Sequence, residues 1–397
     1  MSHTPGSRAS VRTLLPLALL TGTSMLAMDL FLPAVPTLQA HLNVGVAPAQ
    51  ATVAIYLAGL AASQLLWGEL LNRLGPRRCV WWSVSLLALA SAGCALAPTI
   101  EVLLGMRLLQ GIAAGAATVV AASVIRATLG DADAVRGMAT IASIEAIVPA
   151  AGPVLGTMLL LWTDWRSTFW IVALATLAVL PFVVRVAPRQ LPGLNLDVPA
   201  RYRDILGNGS FTRLALSHAL ALGALFAFVG SAPQLLQHTL KLPAGAFAAL
   251  QVIGVLGFMA TATQAGRISQ RIGPARAVHA GGAVQIVLCA TLIAGSVIAT
   301  PTFAALAVFW CLFCAALAVR GPAAFSEALR VPPAQMGRAS AMMVLLLLIA
   351  GALAIQGVAP YIAGDSVVPL AGVMLAMTAA SLALVVPYPR PRGLAGM

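Results

Sequence analysis

The chain has 397 residues, 60% of them hydrophobic and only 9% charged, with a mean hydropathy of +0.95. Soluble globular domains carry about 25% charged residues, so the composition excludes a soluble fold and reads as a membrane protein. The net charge of +12 comes from arginine, Lys241 being the one lysine; the arginines fall in short loops between apolar runs, which fits the positive-inside rule better than nucleic-acid binding.

At about 20 apolar residues per crossing, the sequence predicts twelve spans, near 13–36, 48–70, 79–98, 101–124, 137–160, 167–187, 212–236, 243–265, 277–299, 302–325, 338–362 and 367–387. Arg8 and Arg12 before the first run mimic a secretory signal. The run is too long and lacks a convincing A-x-A cleavage site, so it is expected to stay as the first helix. That span ends in Met28-Asp29-Leu30-Phe31-Leu32-Pro33-Ala34-Val35-Pro36. A charge at the centre of a membrane helix costs roughly 2.5 to 3.5 kcal/mol. Pro33 has no N–H to bond the carbonyl of Asp29 four residues back, so the helix is loosened at the residue that is costly to bury.

Arginine placement supports the count. Alternate segments hold Arg8 and Arg12; Arg73, Arg77 and Arg78; Arg126 and Arg136; Arg185, Arg189, Arg201, Arg203 and Arg213; Arg267, Arg271 and Arg276; Arg330 and Arg338; Arg390 and Arg392. The opposite loops hold only Arg166 and Lys241. The expected architecture is therefore an all-α membrane protein of twelve transmembrane helices with both termini cytoplasmic. The longest polar interruption, Pro188 to Ser210, reads as a cytoplasmic linker with a short interfacial helix. It divides an N-terminal six-helix bundle, 1–187, from a C-terminal one, 211–397, with the linker over 188–210.

The two halves are repeats. Gly68-Glu69-Leu70-Leu71-Asn72-Arg73-Leu74-Gly75-Pro76-Arg77-Arg78 recurs in register as Gly266-Arg267-Ile268-Ser269-Gln270-Arg271-Ile272-Gly273-Pro274-Ala275-Arg276, 198 residues on. Two like halves around a cavity are a secondary-transporter architecture. Cys79, Cys94, Cys289, Cys311 and Cys314 all lie in apolar runs and read as packing residues, without the context of a redox or zinc motif.

On these residues the chain resembles the major facilitator superfamily. The loop from Gly68 through Asn72, Arg73, Gly75, Arg77 and Arg78 is similar to its signature G-x-L-x-D-R-x-G-R-[RK]. Met28-Asp29 through Pro36 resembles the first-helix signature of the Bcr/CflA-type drug-resistance antiporters, a group of chloramphenicol- and bicyclomycin-like exporters. Arg107-Leu108-Leu109-Gln110-Gly111 resembles that group's R-x-x-Q-G motif. Pro149, Gly152, Pro153 and Gly156 match the antiporter motif of helix five, and Trp165-Arg166 with Phe169 fits the start of helix six. The resemblance implies that Asp29 accepts protons and that Arg107 tunes it. Two positions depart from the pattern. The signature aspartate is Asn72, and the Arg-Asp pair after helix four is Arg126-Ala127. Relatives use those acids to latch the cytoplasmic side, so the latch is in question here.

Depth gives an independent argument. Asp29 lies about six residues inside the outer end of span one, and Arg107 six residues inside the outer end of span four. At 1.5 Å per residue both are roughly 9 Å deep, which permits a contact; a fixed structural ion pair is the alternative. Glu145, roughly 14 Å into span five by the same rise and with Pro149 four residues on, is a second candidate acid for protons or a cationic substrate. Tyr56, Gln64, Gln110, Gln251 and Gln356 are candidate polar groups of the substrate cavity, although each could instead bond helix to helix. Gly152 and Gly156 form a G-x-x-x-G that permits close helix packing. Arg320 and Glu327 are expected to snorkel to the cytoplasm, and His218 to be a hydrogen-bonded polar residue.

Metalloprotease, hydrolase and nucleotide-binding motifs are missing from the sequence, so the chain is not expected to be an enzyme, and pumping would draw on a proton gradient without a cofactor. The functional expectation is a proton-coupled exporter of drugs or small amphipathic molecules in the cytoplasmic (inner) membrane. Its partners would be a small-molecule substrate, protons and membrane lipid, with no nucleic acid, and it would act as a monomer. The rivals are a dedicated exporter of a siderophore or self-made antibiotic, and a non-transporting receptor or scaffold with the same fold.

Overall fold

The computed structural model describes residues 6–129, 131–190, 202–332, 335–362 and 366–388, and these are helical apart from turns. The helices are α1 (Gly6–Asp29), α2 (Val35–Leu42), α3 (Val46–Leu74), α4 (Pro76–Ala95), α5 (Ile100–Ala114), α6 (Ala116–Thr128), α7 (Asp131–Leu160) and α8 (Arg166–Val186). They continue as α9 (Tyr202–Leu206), α10 (Gly209–Gln234), α11 (Gly245–Ile272), α12 (Pro274–Ile298), α13 (Phe303–Ala328), α14 (Met336–Val358) and α15 (Val368–Ala383).

Among the described residues eleven stretches are long and apolar enough to cross a membrane. Two of them join consecutive helices: Leu14–Leu42 runs through α1 and α2, and Ile100–Ile125 through α5 and α6. The stretch expected as a twelfth span contains α15, whose 16 residues rise about 24 Å, short of a hydrocarbon core of about 30 Å. Within the polar interruption α9 is a five-residue helix with Ile205 buried; the remainder of the linker over 191–201 lies outside the described residues.

The chain forms two compact units, one of Met1–Val44 with Ile55–Leu196, the other of Gly45–Ala54 with Asp197–Met397. Their internal packing repeats. In the first unit α1 packs on α7 and α8, and α4 packs on α5 and α8. In the second α10 packs on α14 and α15, and α12 packs on α13 and α15. Each helix thus meets the counterparts of its equivalent's neighbours.

Backbone conformation repeats too. Gly75 (φ 77°) and Gly273 (φ 85°), 198 residues apart, are both left-handed, each followed by a proline in the first turn of the next helix. Glycine is needed there because a side chain disfavours positive φ, and proline suits a first turn whose N–H would be unpaired anyway. Asn43 (φ 51°) and Lys241 (φ 54°) form a second left-handed pair at the same spacing.

Each unit has an apolar core at one end. In the first, Leu17 and Leu20 of α1 meet Trp67 and Leu71 of α3, Val80 and Val84 of α4, and Val183 of α8. In the second, Phe211 and Leu214 of α10 meet Val278 of α12, Ala324 of α13 and Met343 of α14. All five cysteines are free thiols, four of them buried.

Candidate proton and substrate site

The first crossing breaks where its sequence says it should. Leu30 N still bonds Leu26 O at 3.0 Å, but Phe31 N turns to Met28 O at 3.1 Å, three residues back instead of four. A tight 3-10 turn, Leu32–Ala34, carries the chain past Pro33 before α2 begins. Asp29 is the last residue of α1 and is only 7% exposed.

The glycines of α7 fit against this break. A Cβ on Gly152 would lie 2.5 Å from Asp29 Cβ and 3.1 Å from Asp29 carbonyl carbon; one on Gly156 would strike the Leu30 carbonyl oxygen and lie 2.8 Å from Pro33 Cγ. The G-x-x-x-G of α7 therefore allows the backbone of α1 to come close at its weakest point. α7 itself runs unbroken through Pro149 and Pro153.

Arg107, fully buried on α5, reaches the same place. Its Nη1 donates to Ala27 O at 2.9 Å, two residues before Asp29, and to Gln110 Oε1 at 2.6 Å. Its guanidinium carbon lies 4.4 Å from the Tyr56 ring centre, 4.7 Å from that of Phe31 and 5.7 Å from that of Phe169. Ring faces and carbonyl oxygens stabilise a cation that would otherwise be costly to bury. Gln110 Nε2 donates in turn to Ser91 Oγ at 2.8 Å, fastening α5 to α4. The structure thus brings Arg107 to the end of α1 that carries Asp29.

Glu145 is half-buried on α7, two turns before Gly152 and so on the same helical stripe. The rise places it about 10 Å along the helix from the Asp29 contact. Nearby, a Cβ on Gly22 of α1 would lie 3.6 Å from Ile144 Cγ2.

The polar residues expected in a cavity fall into two groups. Tyr56 donates its hydroxyl to Ser24 O at 2.9 Å and offers its ring to Arg107, while Gln110 uses both ends of its amide; these two bond helix to helix. Gln64 is 8% exposed and donates to Leu60 O of its own helix at 3.4 Å. Gln251 of α11 is 4% exposed, with no hydrogen-bond partner for its Oε1 among the described residues, and Gln356 of α14 is half-buried.

At the signature loop Arg77 N donates to Pro188 O at 3.2 Å, and a Cβ on Gly75 would strike the Arg189 carbonyl oxygen. The segment following α8 therefore lies directly over the loop. Glu69 is taken by Arg73, one turn along α3, in an exposed pair at 2.8 Å. Gly68 is open, with nothing within 4 Å of an added Cβ, and Arg77 and Arg78 are exposed. The side chains of Asn72, Arg126 and Ala127 lie outside the described residues.

One sequence expectation, that Arg320 and Glu327 snorkel to the cytoplasm, is corrected, since both are buried. Arg320 does not snorkel: it is 1% exposed, donating to Gln285 Oε1 at 3.1 Å, Ser217 Oγ at 3.0 Å and Ser381 Oγ at 2.7 Å. Acceptors on α10, α12 and α15 satisfy it in place, and Gly281 leaves room, since a Cβ there would lie 2.8 Å from Arg320 Cβ. Glu327, 6% exposed, pairs with Arg330 at 2.9 Å. His218 packs edge-on against Phe325, ring centres 5.7 Å apart. Sequence reasoning also missed Phe31 and Phe169 as the walls around Arg107; the signal was an aromatic residue two positions after the intramembrane acid.

Comparison with known proteins places this geometry in context. A sequence model described as "Major Facilitator Superfamily" matches residues 17–355. The chain is 31% identical over 229 residues to the multidrug resistance protein MdtL of Escherichia fergusonii, and 30% identical over 229 residues to that of Escherichia coli strain K12. Each match covers 57% of this chain and 58% of the relative, so the chain spans less than two thirds of the curated relatives it matches. The fold is similar to that of a bacterial homologue of the human lysosomal transporter Spinster, inward-facing and occupied: TM-score 0.75 at 14% identity, covering 97% of this chain and 96% of that one. It is also similar to a D-xylose–proton symporter: TM-score 0.74 at 15% identity, covering 96% and 98%. With its membrane-length helices and bacterial relatives, this is a multi-pass protein of the inner membrane.

Proposed function

The chain belongs to the Major Facilitator Superfamily and is a transporter, not an enzyme, and we propose that it is a proton-coupled exporter of drugs or other small amphipathic molecules. One observation carries the reading. The first crossing is interrupted at a buried carboxylate, Asp29, and a buried cation, Arg107, is bonded to the carbonyl two residues earlier. A buried carboxyl group changes its proton occupancy when water access changes, which is what alternating access provides.

In this mechanism Asp29 takes a proton from outside and releases it inside. Arg107 sets how tightly the proton is held, and Glu145 is a second titrating group on the facing stripe of α7. Substrate binding competes with protonation, so outward movement of substrate is tied to inward movement of protons. Gln64, Gln251 and Gln356 supply polar contacts to the substrate. The reading extends to twelve crossings with both termini cytoplasmic, halves of 1–187 and 211–397 joined by a linker, and a monomer as the working form. The arginine distribution supports that topology, and the MdtL relatives support drugs as cargo.

The test is transport into inside-out vesicles energised by a pH gradient, across a panel of fluorescent lipophilic cations and neutral phenicols. Uptake into the vesicles collapses with a protonophore and is lost in Asp29→Asn, while that variant inserts normally. Normal pumping by Asp29→Asn refutes the mechanism. A deletion strain with unchanged drug tolerance but lost secretion of a metabolite moves the cargo assignment to a dedicated exporter.

A further inference from the structure

A second titratable group sits at the far end of the same crossing. His41 lies in the last turn of α2, and Arg166, the first residue of α8, places Nη1 3.1 Å from His41 Nε2. A guanidinium has donors only, so His41 Nε2 must be the acceptor and the imidazole neutral, its proton on Nδ1. The rest of the guanidinium is also engaged. Nη2 donates to Ala97 O at 3.5 Å, Nη1 lies 3.7 Å from Asp164 Oδ2, and the guanidinium carbon is 4.3 Å from the Trp165 ring centre. One arginine thus ties α2 to the α4–α5 turn and the α7–α8 turn.

The tie continues inward through rings. His41 and Trp165 meet edge to face at 6.1 Å, as do Trp165 and Phe169 at 6.1 Å, and Phe169 and Phe31 lie 4.9 Å apart with their rings tilted by 34°. Phe31 lies beneath the guanidinium of Arg107. A continuous row of packed side chains therefore joins an exposed histidine to the buried arginine, passing the break at Asp29–Pro33. The charged groups facing His41 are Arg166 in contact and Asp164 beyond it; Arg107 and Asp29 lie at the inner end of the row.

We infer that His41 is a proton-sensing latch on the end of span one, closed when neutral and released when protonated. A proton from water takes the Nε2 lone pair, so Arg166 loses its acceptor and meets a second cation at hydrogen-bond distance. α2 is joined to α1 through the 3-10 turn at Pro33 and to α3 through residues 43–45, and its inner turn is buried through Val35, Pro36 and Leu38, so losing the bond loosens its last turn, the exposed end of the row that leads to Asp29. The inference rests on the exporter reading only for the statement that this end faces outside and for the use of the loosened turn; the latch itself is independent of transport.

The test is hydrogen–deuterium exchange of the purified full chain in nanodiscs, without substrate or gradient, at about pH 8 and about pH 5, corrected for intrinsic exchange. Peptides covering α2 exchange several-fold faster at the lower pH in the wild type. His41→Gln, which keeps a neutral acceptor for Arg166, stays protected at both values, and His41→Arg exchanges fast at both. Asp29→Asn keeps the wild-type response. The inference is overturned by equal exchange at both pH values in the wild type, by a response that survives in His41→Gln, or by one that vanishes in Asp29→Asn. An efflux failure with an intact exchange response removes the exporter mechanism and leaves the latch.

Discussion

Gly152→Ala tests the geometry at Asp29 with the smallest available change. The added Cβ would sit 2.5 Å from Asp29 Cβ, where ordinary contact begins at 3.4 Å, and 3.1 Å from the Asp29 carbonyl carbon. Neither atom is the far end of a flexible side chain, so α7 and the end of α1 must separate by about 0.9 Å. Overpacking of this kind costs about 1–3 kcal/mol. Alanine returns about 1 kcal/mol through its higher helix propensity, so the net loss of stability is about 0–2 kcal/mol. The displacement falls on the acid that the proposed mechanism depends on, and a misplacement of about 1 Å at a working site can reduce rate about a hundredfold. Gly152→Ala is therefore expected to lose at least about tenfold in proton-driven efflux while staying folded. Gly295→Ala, on α12 with nothing within 4 Å of the added Cβ, is the matched control; it should keep wild-type efflux. Efflux in inside-out vesicles and thermal unfolding of the purified protein are measured on both. Wild-type efflux by Gly152→Ala refutes the claim that this contact positions Asp29.

Three further outcomes follow from individual contacts. Arg107→Lys is expected to insert normally but to lose efflux by about tenfold or more, because one ammonium cannot bond Ala27 and Gln110 while lying flat over Tyr56 and Phe31; vesicle efflux normalised to protein amount decides it. Arg320→Met should lower stability by about 1–3 kcal/mol yet leave efflux per folded molecule unchanged. Ser217 and Ser381 keep their bonds to each other's carbonyls at 2.7 and 2.5 Å; efflux lost at full stability would give Arg320 a direct role. Lys241→Asn should raise stability by about 0.5–1 kcal/mol, since asparagine tolerates left-handed backbone better than lysine. A thermal melt showing no gain removes strain at φ 54° as a factor.

The elements that could be read from the sequence are those set by local chemistry. Pro33 removes one N–H, and the helix breaks where that N–H is missing; Gly75 and Gly273 recur in register, and both take the positive φ that an L side chain resists. Apolar runs of about 20 residues became helices, with α15 shortened at its C-terminal end. Contacts between distant segments were not readable in the same way. Depth arithmetic put Arg107 level with Asp29, but it could not say that Arg107 would bond Ala27 O and lie among Tyr56, Phe31 and Phe169, because that depends on three helix rotations at once. Arg320 failed for the same reason. Near a helix end an arginine can reach water along its flexible stem, and only the arrival of Ser217, Gln285 and Ser381 from three other helices makes burial the better solution. His41 and Arg166 are 125 residues apart, and nothing local marks either one as the other's partner.

The two units share helix starts but not the groups buried beyond them. α5 and α13 both begin after a threonine, Thr99 and Thr302, and the eighth residue of each is a buried group lying on a ring from another segment. In the first unit that residue is Arg107, over Phe31. In the second it is Trp310, stacked on Phe228 at 4.1 Å with an interplanar angle of 18°. The proline near the end of the first long helix recurs as well, Pro33 against Pro233, the latter followed by a π-helical turn, Leu235–Thr239. Four residues before Pro33 is Asp29; four before Pro233 is Val229. At those helix positions the second unit carries apolar side chains, and its buried cation is Arg320, further along α13 than Trp310. Arg320 is held there by neutral acceptors, Ser217, Gln285 and Ser381, and so joins α13 to α10, α12 and α15. A buried arginine can therefore be held in this fold by neutral acceptors alone; what distinguishes the first unit is that Arg107 bonds the carbonyl two residues before a buried carboxylate at a helix break, the arrangement on which the proposed proton site rests.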